Sequence, residues 1–142
     1  MLCKLIGIPL QQGASRLGCE MGPSALRVAG LSETLQELGH QVLDRGNLVT
    51  PSVVDGSHPN GSVRNLGAIA GWTTMLADTA YRDSEEGMPI FLGGDHALSA
   101  GTVSGIARRA AEAGRPLFVL WLDAHTDLHS LDTTTSGNLH GV

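Results

Sequence analysis

The sequence has few cysteines, few aromatic residues and little basic charge. Of its 142 residues only 2 are cysteine, and aromatic residues make up 4% of the chain. Two cysteines are too few for a disulfide scaffold, so the sequence favours a reducing compartment. There are 9 Lys and Arg residues and 14 Asp and Glu residues, which gives a net charge of −5. Because no basic run is present, we expect neither nucleic acid nor an anionic membrane as a partner.

The sequence also lacks a long apolar run. A membrane-spanning helix needs about 20 predominantly apolar residues, and no stretch of that kind occurs. The first residues, Met1 to Lys4, do not form a basic segment that leads into a long apolar one, so we expect no signal peptide. These observations predict a cytoplasmic protein.

The sequence does contain enough aliphatic residues for a core, arranged in alternating strands and helices. Hydrophobic residues make up 42% of the chain and charged residues 16%, as is typical of globular domains. Periodicity and glycine or proline boundaries predict strands at 2–8, 41–44, 88–92 and 117–122, and helices at 23–38, 62–81 and 97–113. This alternation indicates one α/β unit, in which helices cover both faces of a parallel sheet.

Polar residues follow two of the predicted strands. His96 comes a few residues after the third strand, and Asp123 directly follows the fourth. Ligands of open α/β sheets bind in crevices outside the carboxyl ends of the strands. We therefore expect His96 and Asp123 to reach the same crevice, although they are distant in the sequence.

The segment Asp123-Ala124-His125-Thr126-Asp127 carries three potential metal ligands. In extended backbone, side chains at positions i, i+2 and i+4 share one face. Carboxylates and a neutral imidazole suit a divalent ion of the Mn²⁺ or Zn²⁺ type, and no sulfur ligand is in place for a structural zinc site. The alternative is a polar turn whose side chains cap the next element.

Two further motifs are less specific when each is taken alone. The turn Gly93-Gly94-Asp95-His96 either presents a ligand or is a glycine turn in which Asp95 caps the following helix. The segment Ser136-Gly137-Asn138-Leu139-His140-Gly141 either contacts a small polar substrate or is an ordinary Ser/Asn/Gly loop. Ligation is favoured for the first motif because it lies about one strand–helix–strand crossover from residues 123–127.

In this order and spacing, the three motifs resemble the signatures of the ureohydrolases. The last motif, with Thr133-Thr134-Thr135 before it, is similar to the arginases specifically, and residues 18–27 and 42–48 resemble arginase N-terminal segments. The resemblance covers essentially the whole chain. It implies a three-layer α/β/α fold of the arginase/deacetylase type. It also implies that a hydroxide bridging two Mn²⁺ ions hydrolyses L-arginine to L-ornithine and urea.

The resemblance implies a metal-binding role for four residues. His96 and Asp127 would ligate one Mn²⁺ and His125 the other, and Asp123 would bridge the two ions. The chemistry supports this arrangement because a guanidinium carbon is a poor electrophile. Two bound cations lower the pKa of a shared water enough to supply hydroxide near neutral pH.

The resemblance also implies roles in substrate binding and proton transfer. His140 would be the catalytic proton shuttle, since an imidazole titrates in the useful range. Ser136 and Asn138 would bind the α-carboxylate of the substrate through neutral donors. His129 stands where many arginases carry an asparagine that contacts the same carboxylate. Either the imidazole keeps this role by donating a hydrogen bond, or His129 is a solvated loop residue.

Ureohydrolases are about twice as long as this chain. We therefore expect residues 1–142 to be the N-terminal part of a single, truncated ureohydrolase domain. The family's later Asp-x-Asp metal motif, and the acidic residue that pairs with the guanidinium group, would lie beyond Val142. We expect the chain alone to be inactive and the complete protein to be a homo-oligomer, either a trimer or a hexamer.

Three other functions stay open at this point. A related ureohydrolase would act on agmatine, although residues 136–140 argue against it because their pattern accompanies carboxylate binding. A non-catalytic remnant would bind metal weakly or associate with intact subunits. A protein whose motifs are purely structural would bind no metal.

Overall fold

A computed structural model describes residues 1–142, and it contains three strands, four α-helices and two short 3₁₀ helices. The strands are β1 (Leu2–Ile8), β2 (Gln41–Asn47) and β3 (Met88–Gly93), and the α-helices are α1 (Gly22–Val28), α2 (Leu31–Glu37), α3 (Leu66–Asp83) and α4 (Leu98–Glu112). The 3₁₀ helices are Cys19–Met21 and Leu139–Gly141. None of the helices is both long enough and apolar enough to cross a membrane.

β1 is the central strand of a parallel sheet with the order β2-β1-β3. Leu5 of β1 lies opposite Asp44 of β2 on one side and Ile90 of β3 on the other. Because the three strands run in the same direction, their carboxyl ends meet at one edge of the sheet. A site built on the residues that follow these strands must lie at that edge.

Helices cover both faces of the sheet. On one face, a Cβ added to Gly7 would lie 3.0 Å from the Arg27 guanidinium of α1, so this helix packs closely against β1. On the other face, Ile8 joins a buried cluster with Trp72 and Leu76 of α3. The α4 helix packs on α3 in turn, because a Cβ added to Gly101 would lie only 2.6 Å from the Leu76 side chain. The prediction of a parallel α/β sheet between two helical layers is confirmed.

The main hydrophobic cluster lies near the carboxyl ends of the strands. It joins residues of β1, of α3 and of the segments around residues 97 and 139: Ile8, Leu10, Ile69, Trp72, Leu76, Ala97 and Leu139. Leu139 is only 6% exposed, and burying a leucine side chain contributes roughly 1.5–3 kcal/mol. Burial of Leu139 therefore anchors the short 3₁₀ helix that carries His140 against the fold.

The helix predicted over 23–38 is interrupted. The backbone of Gly30 has φ of +87°, and α1 ends just before it while α2 begins just after. Glycine adopts this left-handed conformation readily, but the conformation is incompatible with the interior of a right-handed helix. The predicted stop at Gly39 is confirmed, since Gly39 also has a positive φ of +83° just after α2.

The helix predicted from residue 62 begins four residues later, at Leu66. Asn65, directly before it, has a left-handed φ of +54°. In addition, the Arg64 N–H donates to the Gly137 carbonyl at 3.1 Å, outside any helix. This long-range bond draws residues 62–65 toward the C-terminal segment and delays the start of α3.

The strand predicted over 117–122 does not form, so this prediction is wrong. Phe118, Leu120 and Leu122 are 89%, 82% and 87% exposed. A groove of about 740 Å³ has residues 117–120 and the free edge of β3 among its walls. An apolar run becomes a strand only where its N–H and C=O groups meet those of a neighbour. Among residues 1–142, none pairs with this segment.

An ion pair ties α1 to β2 on the outer part of the sheet. The Arg27 guanidinium donates to both carboxylate oxygens of Asp44, at 2.6 and 2.8 Å, and to the Asn47 Oδ1 at 2.6 Å. The hydrogen bond from Arg27 is the main reason why the pKa of Asp44 is lowered. A bidentate guanidinium–carboxylate pair is stronger than an ordinary surface pair.

Replacing Asp44 by asparagine should therefore lower the free energy of unfolding at neutral pH by about 1 kcal/mol, a value that allows for solvent screening. The folded-state pKa of Asp44 lies below its unfolded value. The stabilisation is thus complete above the unfolded pKa and is lost as the pH falls through the folded one. Urea unfolding at pH 7 and at stepwise lower pH measures the difference. The exposed Asp55, which makes no ion pair, provides the control Asp55→Asn, and a difference that persists at low pH would contradict the assignment.

Candidate metal centre and substrate cleft

His96 is presented by a tight turn at the carboxyl end of β3. The Gly94 N–H donates to the Ile8 carbonyl at 3.2 Å, and the Asp95 N–H donates to the Leu10 carbonyl at 2.8 Å. A Cβ at Gly94 would lie 1.9 Å from the Leu10 oxygen, so only glycine fits there. The turn is therefore fixed against the end of β1, and His96 projects from the edge where the strand ends meet.

Asp123 and Asp127 approach His96 from the C-terminal part of the chain. One carboxylate oxygen of Asp127 lies 3.1 Å from His96 Nε2, and one of Asp123 lies 3.7 Å from it. One potential ligand atom from each of the three residues lies within 4.8 Å of the others. Residues distant in sequence thus form a compact cluster of one imidazole and two carboxylates.

His125 lies outside this cluster, although the extended pattern predicted that it would share a face with the two aspartates. Its N–H donates to the Asp123 Oδ1 at 2.8 Å, which bends the backbone and leaves the imidazole 85% exposed. The same N–H bond is the largest cause of the lowered pKa of Asp123. Asp127 has a left-handed φ of +46°. The segment therefore bends at residues 124–125 and does not continue as an extended strand.

Two atoms of the cluster are buried without a hydrogen-bond partner. They are His96 Nε2 and Asp127 Oδ2, which lie 3.1 Å from each other but without the geometry of a hydrogen bond. An unpartnered buried polar atom costs roughly 1–3 kcal/mol, and more when it is charged. A divalent cation between the imidazole and the carboxylates would satisfy both atoms, so the residues present fit a metal ion. Imidazole with carboxylates suits Mn²⁺ or Zn²⁺.

The His96 ring is also oriented by an aromatic contact. It meets the ring of Trp121 edge-on, with the ring centroids 5.0 Å apart and an angle of 77° between the planes. This arrangement is favourable for aromatic rings. It fixes the imidazole plane at the cluster and gives one residue of the unpaired 117–122 segment a direct contact with the site.

All eight residues singled out in the sequence line a single cleft of about 490 Å³: His96, Asp123, His125, Asp127, His129, Ser136, Asn138 and His140. The three potential ligands that form the cluster lie in the wall of this cleft. Of the other five residues, His125 belongs to the same segment as the two aspartates, and the rest come from residues 129–140. The cleft therefore combines a potential cation site with donors and acceptors for a small polar molecule.

The predicted substrate-binding residues make hydrogen bonds within their own segment and to the N-terminal part of the chain. The Asn138 N–H donates to the Ser136 hydroxyl at 3.3 Å, and the Asn138 Oδ1 accepts a hydrogen bond from Ser15 at 2.6 Å. His129 Nδ1 lies 3.4 Å from the Thr133 hydroxyl. The structure places these groups at the cleft, and their role in substrate binding stays a prediction.

Thr134 also lines the cleft, although the sequence analysis did not select it as a site residue. It is only 4% exposed, and its hydroxyl accepts a hydrogen bond from the Gly137 N–H at 3.2 Å. The run of three threonines before Ser136 was the available signal. Which threonine faces the cleft depends on the turn that follows, and the sequence does not specify that turn.

The class of protein follows from these features. The fold is a parallel α/β layer structure, and its cleft at the strand ends carries an imidazole–carboxylate cluster suited to a divalent cation. The arginase family model matches residues 2–142. The chain belongs to the arginase family.

Individual relatives agree with the family match. An arginase of Brucella suis is 56% identical over 142 residues, which cover 100% of this chain and 46% of that protein. An arginase of Agrobacterium fabrum is 57% identical and is covered to 44%. The crystal structure of arginase from Bacillus cereus matches with a TM-score of 0.83 and 38% identity over 99% of this chain and 45% of that one. The chain thus spans a little under half the length of these relatives.

The geometry of the cluster predicts unequal reactivity of its histidines. Diethyl pyrocarbonate should modify His125 several times faster than His96, because the side chains are 85% and 34% exposed and His96 Nε2 is buried. Mass spectrometry of peptides after short exposures measures both rates. Unfolding in urea is the control, since it should equalise them. Equal rates in the folded chain would contradict the turn at residues 123–127.

Proposed function

We propose that residues 1–142 provide the metal-binding and carboxylate-binding part of a manganese-dependent enzyme that hydrolyses L-arginine to L-ornithine and urea. One observation carries the proposal. The buried, unpartnered atoms of His96 and Asp127 face Asp123 at the strand ends of a chain in the arginase family. The relatives described above are named arginases, which favours this substrate over other guanidino compounds.

Some of the proposed metal ligands are already assembled within residues 1–142, and others would have to be added. His96, Asp123 and Asp127 would hold one ion. His125 would serve a second ion shared with Asp123, since its exposed imidazole already places Nδ1 3.4 Å from the Asp123 Oδ1. Two ions need more ligands than these four residues offer, even if water completes part of each shell. We infer that the complete site draws further ligands from outside residues 1–142.

The chemistry of the reaction is divided between the metal and the side chains. When bound, two divalent cations would supply Lewis acidity and a water of lowered pKa. His140, whose backbone is fixed at the cleft wall, would deliver a proton to the leaving nitrogen of the substrate. An imidazole suits that task because it changes charge near neutral pH.

Substrate selection would depend on the neutral groups at the other side of the cleft. Ser136 and Asn138 would donate hydrogen bonds to the α-carboxylate of the amino acid, and His129 would add a third donor. A substrate that lacks this carboxylate, such as agmatine, would leave these donors unpaired. Sites built to pair a polar group discriminate strongly against analogues without it.

Three further features of the complete protein belong to this proposal. They are Mn²⁺ as the metal used in the cell, a cytoplasmic location, and assembly into a trimer or hexamer. The two cysteines are unpaired, and one of them is buried, which agrees with a reducing compartment.

The 142-residue chain should bind at most one Mn²⁺ per chain weakly and should release no urea from L-arginine. Electron paramagnetic resonance of free Mn²⁺ measures the binding. Asp127→Asn should weaken it by about tenfold or more, since even residues that only support metal ligands often matter this much. Asp132→Asn is the control, because the Asp132 side chain is 85% exposed and lies outside the cleft. Urea release by the chain alone would show that its ligand set is sufficient.

A fusion to the remaining half of the Brucella suis arginase tests the reaction. It should release urea from L-arginine and far less from agmatine. Asn138→Ala should lower kcat/KM for L-arginine about 10- to 100-fold, as expected for lost hydrogen bonds to a charged group, mainly through KM. His140→Ala should lower kcat by on the order of 10²-fold or more. A preference for agmatine would overturn the substrate assignment.

A further inference from the structure

A loop near the N-terminus connects the two halves of the cleft wall. Residues 10–15 follow β1 and lie between the turn that carries His96 and the segment that carries Asn138 and His140. The sequence marks this region only as a loop with several glycines, and its residues do not line the cleft. Its hydrogen bonds nevertheless lead from one group of site residues to the other.

Asp95 fastens the loop to the His96 turn. Its side chain is buried, and the residue is only 5% exposed. One carboxylate oxygen accepts a hydrogen bond from the Gly13 N–H at 2.8 Å, and the other accepts one from the Ala97 N–H at 2.9 Å. The second bond closes a local turn just before α4, whose own N-cap residue is Ala97 and receives no side-chain cap, so Asp95 does not cap the helix as one interpretation of the sequence had it. The first bond reaches across to a distant part of the chain. A carboxylate that accepts two backbone N–H groups forms charge-assisted bonds, which are stronger than neutral ones.

There is no space between Asp95 and the loop. A Cβ at Gly13 would lie 2.6 Å from the Asp95 Oδ1 and 2.6 Å from the Ala97 Cβ. The backbone of residue 13 therefore packs directly against the His96 turn, with no room for a side chain. A displacement of the turn must be passed on to the loop.

The same loop also forms hydrogen bonds with the segment that carries Asn138 and His140. The Gly13 carbonyl accepts a hydrogen bond from the His140 N–H at 3.2 Å. The Ser15 hydroxyl donates to the Asn138 Oδ1 at 2.6 Å. On its outer side, the loop is held by Asn65, whose amide donates to the Gln12 carbonyl at 2.9 Å.

We propose that Asp95 and Ser15 are positioning residues that set the distance between the His96 cluster and the Asn138–His140 segment. The first connection of this positioning path runs from the Asp95 carboxylate to the Gly13 N–H, and from the Gly13 carbonyl to the His140 N–H. The second is the hydrogen bond from Ser15 to Asn138. The proposal rests on the proposed function, because that function gives Asn138 and His140 their roles. The hydrogen bonds themselves can be tested without measuring activity. The path matters because a displacement of about 1 Å at a reacting group can cost roughly a hundredfold in rate.

Backbone amide hydrogen exchange in the 142-residue chain is the test. Asp95→Asn should accelerate exchange roughly tenfold at Gly13, at Ala97 and, through the loop, at His140, as expected when a local closing bond is lost. Asp83→Asn is the matched control, since Asp83 is also a buried carboxylate but pairs with Arg45 away from the loop. If Asp95 stabilised only the turn before α4, exchange would change at Ala97 and stay unchanged at His140. That result would overturn the proposal.

A second variant keeps the test decisive if Asp95→Asn fails to fold. Ser15 is exposed, so Ser15→Ala should fold. It should accelerate exchange at Asn138 and His140 several-fold while leaving Ala97 unchanged. Ser15→Thr, which restores a hydroxyl, should reverse the effect. Unchanged exchange at both Asn138 and His140 in Ser15→Ala would remove Ser15 from the path and overturn the proposal.

Kinetics of the arginase fusion separate this inference from the proposed function. Ser15→Ala should raise KM for L-arginine about threefold or more, because one tie to a substrate-binding group is lost, with kcat nearly unchanged. Asp95→Asn should lower kcat. If the fusion releases no urea while the exchange results hold, the proposed function fails and the positioning path stands. If urea forms but the variants change neither exchange nor kinetics, the positioning path fails alone.

Discussion

The contact between the ends of β1 and β3 is the constraint on which the rest of the site depends. The chain leaving β1 passes directly over the chain leaving β3, so closely that the Leu10 carbonyl excludes any side chain at Gly94. Parallel pairing of the two strands brings these ends to one edge, and the absent Cβ permits the crossing. His96 emerges from this crossing, and the loop after Leu10 passes next to it. The cluster, the cleft and the loop contacts therefore share one rigid base.

Much of this arrangement could be predicted from the sequence because it rests on local patterns. The residues of β1 form a short apolar run ended by Pro9, and its predicted limits match the observed strand. The convergence of His96 with Asp123 followed from a general property of parallel sheets. The predictions that failed depended on interactions between distant segments. Residues 117–122 have the composition of a buried strand but no neighbour to pair with, and the start of α3 is set by a bond to Gly137.

The candidate site shows the same limit at a finer scale. Spacing alone placed Asp123, His125 and Asp127 on one face, and this required an extended backbone. The Asp123 carboxylate instead captures the His125 N–H, and such aspartate turns compete with extended structure whenever no partner strand holds the backbone. Asp95 illustrates the opposite case. A local bond from Asp95 to the backbone before the helix could be predicted from its position, whereas its bond to Gly13, 82 positions away in sequence, could not.

The strand order has a consequence for how such a chain is made. Of the three strands, the central one comes earliest in the chain, yet its second partner ends at Gly93. At ribosomal speeds, the residues between them take on the order of ten seconds to appear. During that interval β1 can pair only with β2, and one long edge of a highly apolar strand stays open. A nascent chain of this topology thus presents an apolar strand edge to the cell's chaperones early and conceals it late.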